Sequence, residues 1–186
     1  LTLANLLKII KTVYKACPPN IATTNMQMWN KKYQLFGGIE RVASYLVPTR
    51  KAISSALTLY LCESGANVAV ALTLPNDCVR KSGIAQHKKV VGKKDRSFGK
   101  PIYDDLAVKS DNVECVSAVN ALEYICSAQP ESDDDTLQYY QKGAVQPLTE
   151  FAFRDEFKAI CNHSSYLKQF RLVPSMLRPT VLLNVQ

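Results

Sequence analysis

The sequence predicts an all-α protein: a single multi-helix domain of six or seven helices, with a long basic loop or small hairpin in the middle and an extended C-terminal tail. Three observations carry this expectation. Apolar residues recur at three-and-four spacing over most of the chain, capping residues stand ahead of these stripes, and alternating strand patterns are scarce. With 186 residues and 47% apolar composition, the chain is near one domain in size and has the material for a real core. The expected layout is N-terminal helices over 1–79, a basic loop over 80–103, C-terminal helices over 104–173 and an extended tail over 174–186.

Leu3, Leu6, Leu7, Ile10, Val13, Tyr14 and Cys17 form the first stripe, with Lys8, Lys11 and Lys15 opposite, and Pro18-Pro19 stops it. Thr23 or Thr24 can cap a second helix through Met26, Trp29, Tyr33 and Phe36, closed by Gly37-Gly38, residues tolerant of positive φ. A short third helix over 39–47 meets Pro48. Thr49 caps a fourth, with Ile53, Leu57, Tyr60 and Leu61 on one stripe and Gly65 at its end. The run Ala66 to Leu74 is apolar almost throughout, so periodicity leaves buried strand and buried helix both open. Residues 80–103 lack a clean period; loop, or a strand pair through Lys88 to Val91 and Ile102-Tyr103, both fit.

Asp111 and Glu114 have capping-box spacing before a stripe of Cys115, Ala118, Val119, Leu122, Ile125 and Cys126. After Pro130 and the acidic run at 132–135, a short turn spans Leu137 to Gln141. Thr149 then starts a helix that turns Phe153, Phe157, Ile160 and Cys161 inward. Pro174 and Pro179 force the remainder into an extended tail carrying Val181, Leu182, Leu183 and Val185.

The sequence opens on Leu1 without an initiator Met, as expected of a cleaved or trimmed product. Residues 1–16 do not read as a signal peptide, because lysines recur within the apolar pattern. No apolar run approaches the length of a membrane span. Six cysteines, Cys17, Cys62, Cys78, Cys115, Cys126 and Cys161, permit a disulfide framework but are too sparse to demand one; reduced thiols in an intracellular or virion setting are the expectation, with secretion as the alternative. Asn162-His163-Ser164 is a formal glycosylation sequon, meaningful only in a secreted chain.

No motif fixes a reaction. There is no Cys-x-x-Cys pair, and Cys161-Asn162-His163 falls short of a zinc site, so no metal or cofactor is expected. Cys115 and Cys126 lie within about 20° on a helical wheel, which predicts one buried face. Cys78 with His87, or Cys161 with His163, are the only conceivable thiolate–imidazolium pairs, and neither has a flanking signature. Gly83 to Gly92-Lys93-Lys94 departs from phosphate-loop spacing. The acidic pairs Asp104-Asp105 and Asp155-Glu156, and the triplet ending at Asp135, read as solvated charge.

Charge is polarised along the chain. Between Arg80 and Lys100, eight cations (Arg80, Lys81, Lys88, Lys89, Lys93, Lys94, Arg96 and Lys100) face only Asp95, and a strongly acidic stretch follows over 101–135. Phosphate binding is driven largely by counterion release from such cations, and Phe98 with Tyr103 offers ring faces on which bases can stack. Lys8, Lys11, Lys15, Lys31, Lys32, Arg50 and Lys51 add a second basic region, with Trp29 and Tyr33 nearby. The reading is a structural nucleic-acid-binding protein without enzymatic activity, a nucleocapsid or coat-like subunit. It would hold single-stranded nucleic acid, RNA rather than DNA, on Arg80, Lys81, Lys88, Lys89, Lys93, Lys94, Arg96, Phe98 and Lys100, and self-associate through its terminal segments. The alternatives are a protein-interaction module, effector-like, whose basic loop meets an acidic partner, and a small enzyme using Cys161 or Cys78.

Overall fold

The structure, a computed structural model, describes residues 2–13, 26–94, 100–108, 117–131, 134–141 and 144–178. The all-α expectation is overturned: the described residues form seven α-helices and five strands, the strands in two antiparallel sheets. In chain order these are α1 (Leu3–Val13), α2 (Met26–Gln34), α3 (Ile39–Ala43), α4 (Arg50–Ser64), α5 (Val68–Leu72), β1 (Val79–Lys81), β2 (His87–Lys94), β3 (Lys100–Ala107), α6 (Ala118–Ser127), β4 (Gln138–Gln141), β5 (Ala144–Pro147) and α7 (Glu150–His163).

Helix ends form where cap chemistry places them. The Thr49 hydroxyl accepts the Ala52 N–H at 3.1 Å, and Gly65 closes α4 in the left-handed region at φ 64°. Thr149 caps α7 in the same way through the Ala152 N–H. Gly37 and Gly38, at φ 87° and 94°, turn the chain between α2 and α3. The ambiguous 66–74 run resolves as helix, because the Asn67 side chain caps α5 by accepting from the Ala69 N–H. Ser117 caps α6 through the Asn120 N–H. The expected stop at Pro18-Pro19, the Thr23/Thr24 cap and the Asp111/Glu114 box with Cys115 lie outside the described residues, as do Tyr14, Lys15 and Cys17.

α4 is the centre of the main core. Its buried face, Ile53, Ala56, Leu57, Tyr60 and Leu61, meets α6 through Val119, Leu122 and Ile125, α7 through Phe153, and the sheet through Val90 and Leu106. Arg50 ties α4 to α7 by a 2.6 Å ion pair with the largely buried Glu156. A smaller cluster joins α1, α2 and α3 through Leu6, Ile10, Trp29, Tyr33 and Val42, and Ala43 and Val47 connect α3 to Tyr140.

Of the two readings open for residues 80–103, the strand pair holds and the loop does not: among the described residues β1, β2 and β3 lie in that order, with Val79 opposite Val90 and Val90 opposite Asp104. Three further expectations are corrected. The 104–173 block therefore does not begin with helix, since residues 104–107 complete β3. The expected turn at 137–141 is β4, paired with β5. At the C-terminus, residues 174–176 form a 3₁₀ turn begun by Pro174 rather than an extended tail, and residues 179–186 lie outside the described set.

Candidate nucleic-acid interface

A strand sends successive side chains to opposite faces, so the basic block is divided by its own pleat. Register places Val79, Lys81, Lys88, Val90, Gly92, Ile102, Asp104 and Leu106 on the face toward the helices. Arg80, His87, Lys89, Val91, Lys93, Pro101, Tyr103 and Asp105 take the other. Val90 and Leu106 anchor the inner face in the core. Asp104 accepts a hydrogen bond from the Tyr60 hydroxyl at 2.5 Å. Burial and the neighbouring carboxylate hold the Tyr60 phenol well above its ordinary range.

The outer face is open at Lys93 and Tyr103, while Val91 between Lys89 and Lys93 is largely covered. Tyr103 is 56% exposed, and the Lys89 ammonium lies 5.2 Å from its ring centroid, a cation–π distance. Beside them runs a groove of about 640 Å³, flanked by Arg80, Lys93, Tyr103, Asp77 and Asp135. Carboxylates share this face: Asp77 meets Arg80 at 2.9 Å, and Asp105 stands opposite Lys89 while accepting from the Ser82 hydroxyl. Attraction for an anion is therefore concentrated at Lys93 and at the Lys89–Tyr103 pair instead of spreading over a uniformly positive channel.

The remaining predicted residues do not gather there. Lys88 reaches across the inner face to pair with Glu123 of α6, which brings the basic and acidic blocks of the sequence together. Lys81 is exposed at the end of β1. Lys94 and Lys100 are opposite one another in the β2–β3 register, and Arg96 and Phe98 lie outside the described residues. In the N-terminal third, the Lys32 ammonium sits 4.8 Å over the Trp29 ring, and Arg50 is engaged by Glu156.

The Cys78–His87 pair does not assemble: Cys78 Sγ lies 3.7 Å from Cys126 Sγ, and His87 Nδ1 is 2.8 Å from the Ala85 carbonyl. Burial raises the Cys161 thiol, the reverse of what an activated nucleophile needs. Cys62, Cys78, Cys126 and Cys161 are free thiols. Among the described residues no three His, Cys, Asp or Glu side chains cluster to hold a metal ion, and no helix is long and apolar enough to cross a membrane.

One feature escapes sequence reasoning altogether. A recess of about 360 Å³ forms where the Asn67 cap of α5, the first turn of α7 and the C-terminal turn converge, lined by Asn67, Glu150, Arg154, Ser175 and Arg178. Arg154 is paired with Glu150 at 2.6 Å. Arg178 is exposed at the rim. These residues come from three distant stretches, and no local charge cluster marks them. Comparison with protein-family models, curated proteins and solved structures finds no match to this chain.

Proposed function

We propose that this protein binds single-stranded nucleic acid, RNA in preference to DNA, on the outer face of the β1–β2–β3 sheet. The observation that carries the reading is the open ring of Tyr103, with the Lys89 ammonium over it and Lys93 beside it. An unpaired base can stack on an exposed aromatic face, which a base inside a duplex cannot do, while the cations meet the flanking phosphates. Arg80 supplies a further donor at the groove edge, and Arg178 in the recess offers a separate phosphate contact.

The test is fluorescence anisotropy with short labelled single-stranded RNA, single-stranded DNA and duplex DNA over a range of salt. Single-stranded RNA binds best, and its affinity falls linearly with salt on logarithmic axes. Lys89→Ala with Lys93→Ala lowers that slope by roughly one to two, and Tyr103→Ala weakens binding about 5- to 150-fold, the value of one stacked base. Lys81→Ala, on the other face, is the matched control. Equal loss in the control and the outer-face variants, or preference for duplex, overturns the reading. The carboxylates Asp77, Asp105 and Asp135 on the same face favour one alternative, a protein partner carrying both charges. Absence of nucleic-acid binding at low salt would leave that partner as the better account.

A further inference from the structure

Two of the cysteines meet across the fold. Cys78 immediately precedes β1, Cys126 lies in the last turn of α6, and their sulfurs are 3.7 Å apart although the residues are 48 positions apart in sequence. Cys78 is fully buried, whereas Cys126 is only partly so, and one thiol of the pair is therefore reachable from outside. We infer that Cys78 and Cys126 form an oxidation site, which a small disulfide such as glutathione disulfide converts to an intramolecular cross-link joining β1 to α6.

The two sulfurs have different roles. Cys126 is the attacking group: it is the less buried of the two, and the contact with Cys78 together with the backbone N–H groups of Cys78 and Val79 lowers its proton affinity. Cys78 is held protonated by the same contact and by burial. The Cys126 thiolate attacks one sulfur of glutathione disulfide, forming a mixed disulfide as the glutathione S–S bond breaks and one glutathione thiolate leaves. Cys78 then loses its proton and attacks the Cys126 sulfur; the mixed bond breaks and the second glutathione departs. The protein dithiol is oxidised by two electrons, the glutathione disulfide is reduced to two thiols, and those thiols take up both protons. Closing the bond requires the sulfurs to approach by about 1.7 Å, with Cys126 in the last turn of α6.

The cross-link would enclose the whole β1–β2–β3 sheet in one covalent loop, so oxidation should stiffen the element that carries Arg80, Lys89 and Lys93. The inference is independent of what that sheet binds.

The full folded chain is incubated with glutathione disulfide at neutral pH, alkylated, digested without reduction and mapped by mass spectrometry. A peptide linking Cys78 to Cys126, a loss of two reactive thiols and a Tm raised by roughly 5–10 °C are expected. Cys78→Ser should stop the reaction halfway, leaving one glutathione on Cys126. The wild-type peptide map stands alone if that variant does not fold. No Cys78–Cys126 linkage under conditions that oxidise a reference dithiol, or a linkage formed only after unfolding in urea, overturns the inference.

Discussion

Gly92 packs beneath Val70 and Leu74 of the α5 region, and replacing it by alanine tests whether that contact shapes the fold. A Cβ built at Gly92 would lie 2.8 Å from Val70 Cγ1 and 3.3 Å from Leu74 Cδ2, against the ~3.5–4.0 Å at which carbon atoms attract. The Val70 methyl must retreat by about 0.7–1 Å. It cannot rotate away freely, because Val70 is 6% exposed and a β-branched side chain in a helix has one strongly preferred rotamer. Overpacking of this kind costs about 1–3 kcal/mol. The Gly92 backbone does not occupy the positive-φ region, so the reduced freedom of the unfolded alanine chain returns about 0.4–1 kcal/mol. The balance is a destabilisation centred near about 1.3 kcal/mol and no larger than about 2.6 kcal/mol. In urea, with a slope of about 2 kcal/mol per molar, Gly92→Ala lowers the midpoint by roughly 0.6 M, at most about 1.3 M, and leaves the slope unchanged. In a Val70→Ala background the clash has no partner, so the same substitution there costs much less. An unchanged or raised midpoint, or equal losses in the two backgrounds, refutes the close packing of β2 on α5.

Other consequences can be measured on the same preparation. The folded phenol of Tyr60 keeps its proton while the unfolded one ionises near its ordinary value of 10.0, so this group's contribution is intact below pH 10 and declines as pH rises above it. Tyr60→Phe should flatten that alkaline decline in pH-dependent urea titrations, while losing about 1.5–3 kcal/mol at neutral pH with the hydrogen bond to Asp104. Phe153→Ala, in the core between α7 and α4, costs about 3–5 kcal/mol, whereas Phe151→Ala, 76% exposed, changes the midpoint by no more than about 0.5 kcal/mol equivalent. Thr149→Ala removes the acceptor for the Ala152 N–H and costs about 1 kcal/mol by thermal melting; Thr149→Ser should restore most of it.

The longer helices were legible through local chemistry, whereas α5 lay in an apolar run that fits strand and helix equally. Thr49 and Gly65 bound α4, Thr149 starts α7, and the apolar spacing between them matches the buried faces found. The β2–β3 hairpin was legible only as one of two readings, and β2 shows why. Of its inner-face positions only Val90 is apolar: Lys88 spends its charge on Glu123, and Gly92 is emptied of side chain by the approach of Val70. A strand whose buried side consists of one valine, one neutralised lysine and one glycine has no two-residue hydrophobic period left to detect. The alternation is present, but each departure from it is compensated by a partner far away in sequence.

The same reasoning governs the candidate site. Charge density singles out one segment, since eight cations against one acid between Arg80 and Lys100 is a property of composition. It could not indicate which cations act together, because that depends on the pleat and on where the acidic stretch folds back. Register assigns Lys89 and Lys93 to the outer face and Lys88 to the inner one, and it sets Asp105 opposite Lys89, sixteen residues earlier in the sequence. A block with a large sequence surplus thus becomes a face on which a few cations and one tyrosine must account for any polyanion binding. For that reason a substitution at Lys93 or Tyr103 should outweigh one at Lys88, although sequence charge alone makes the lysines equivalent.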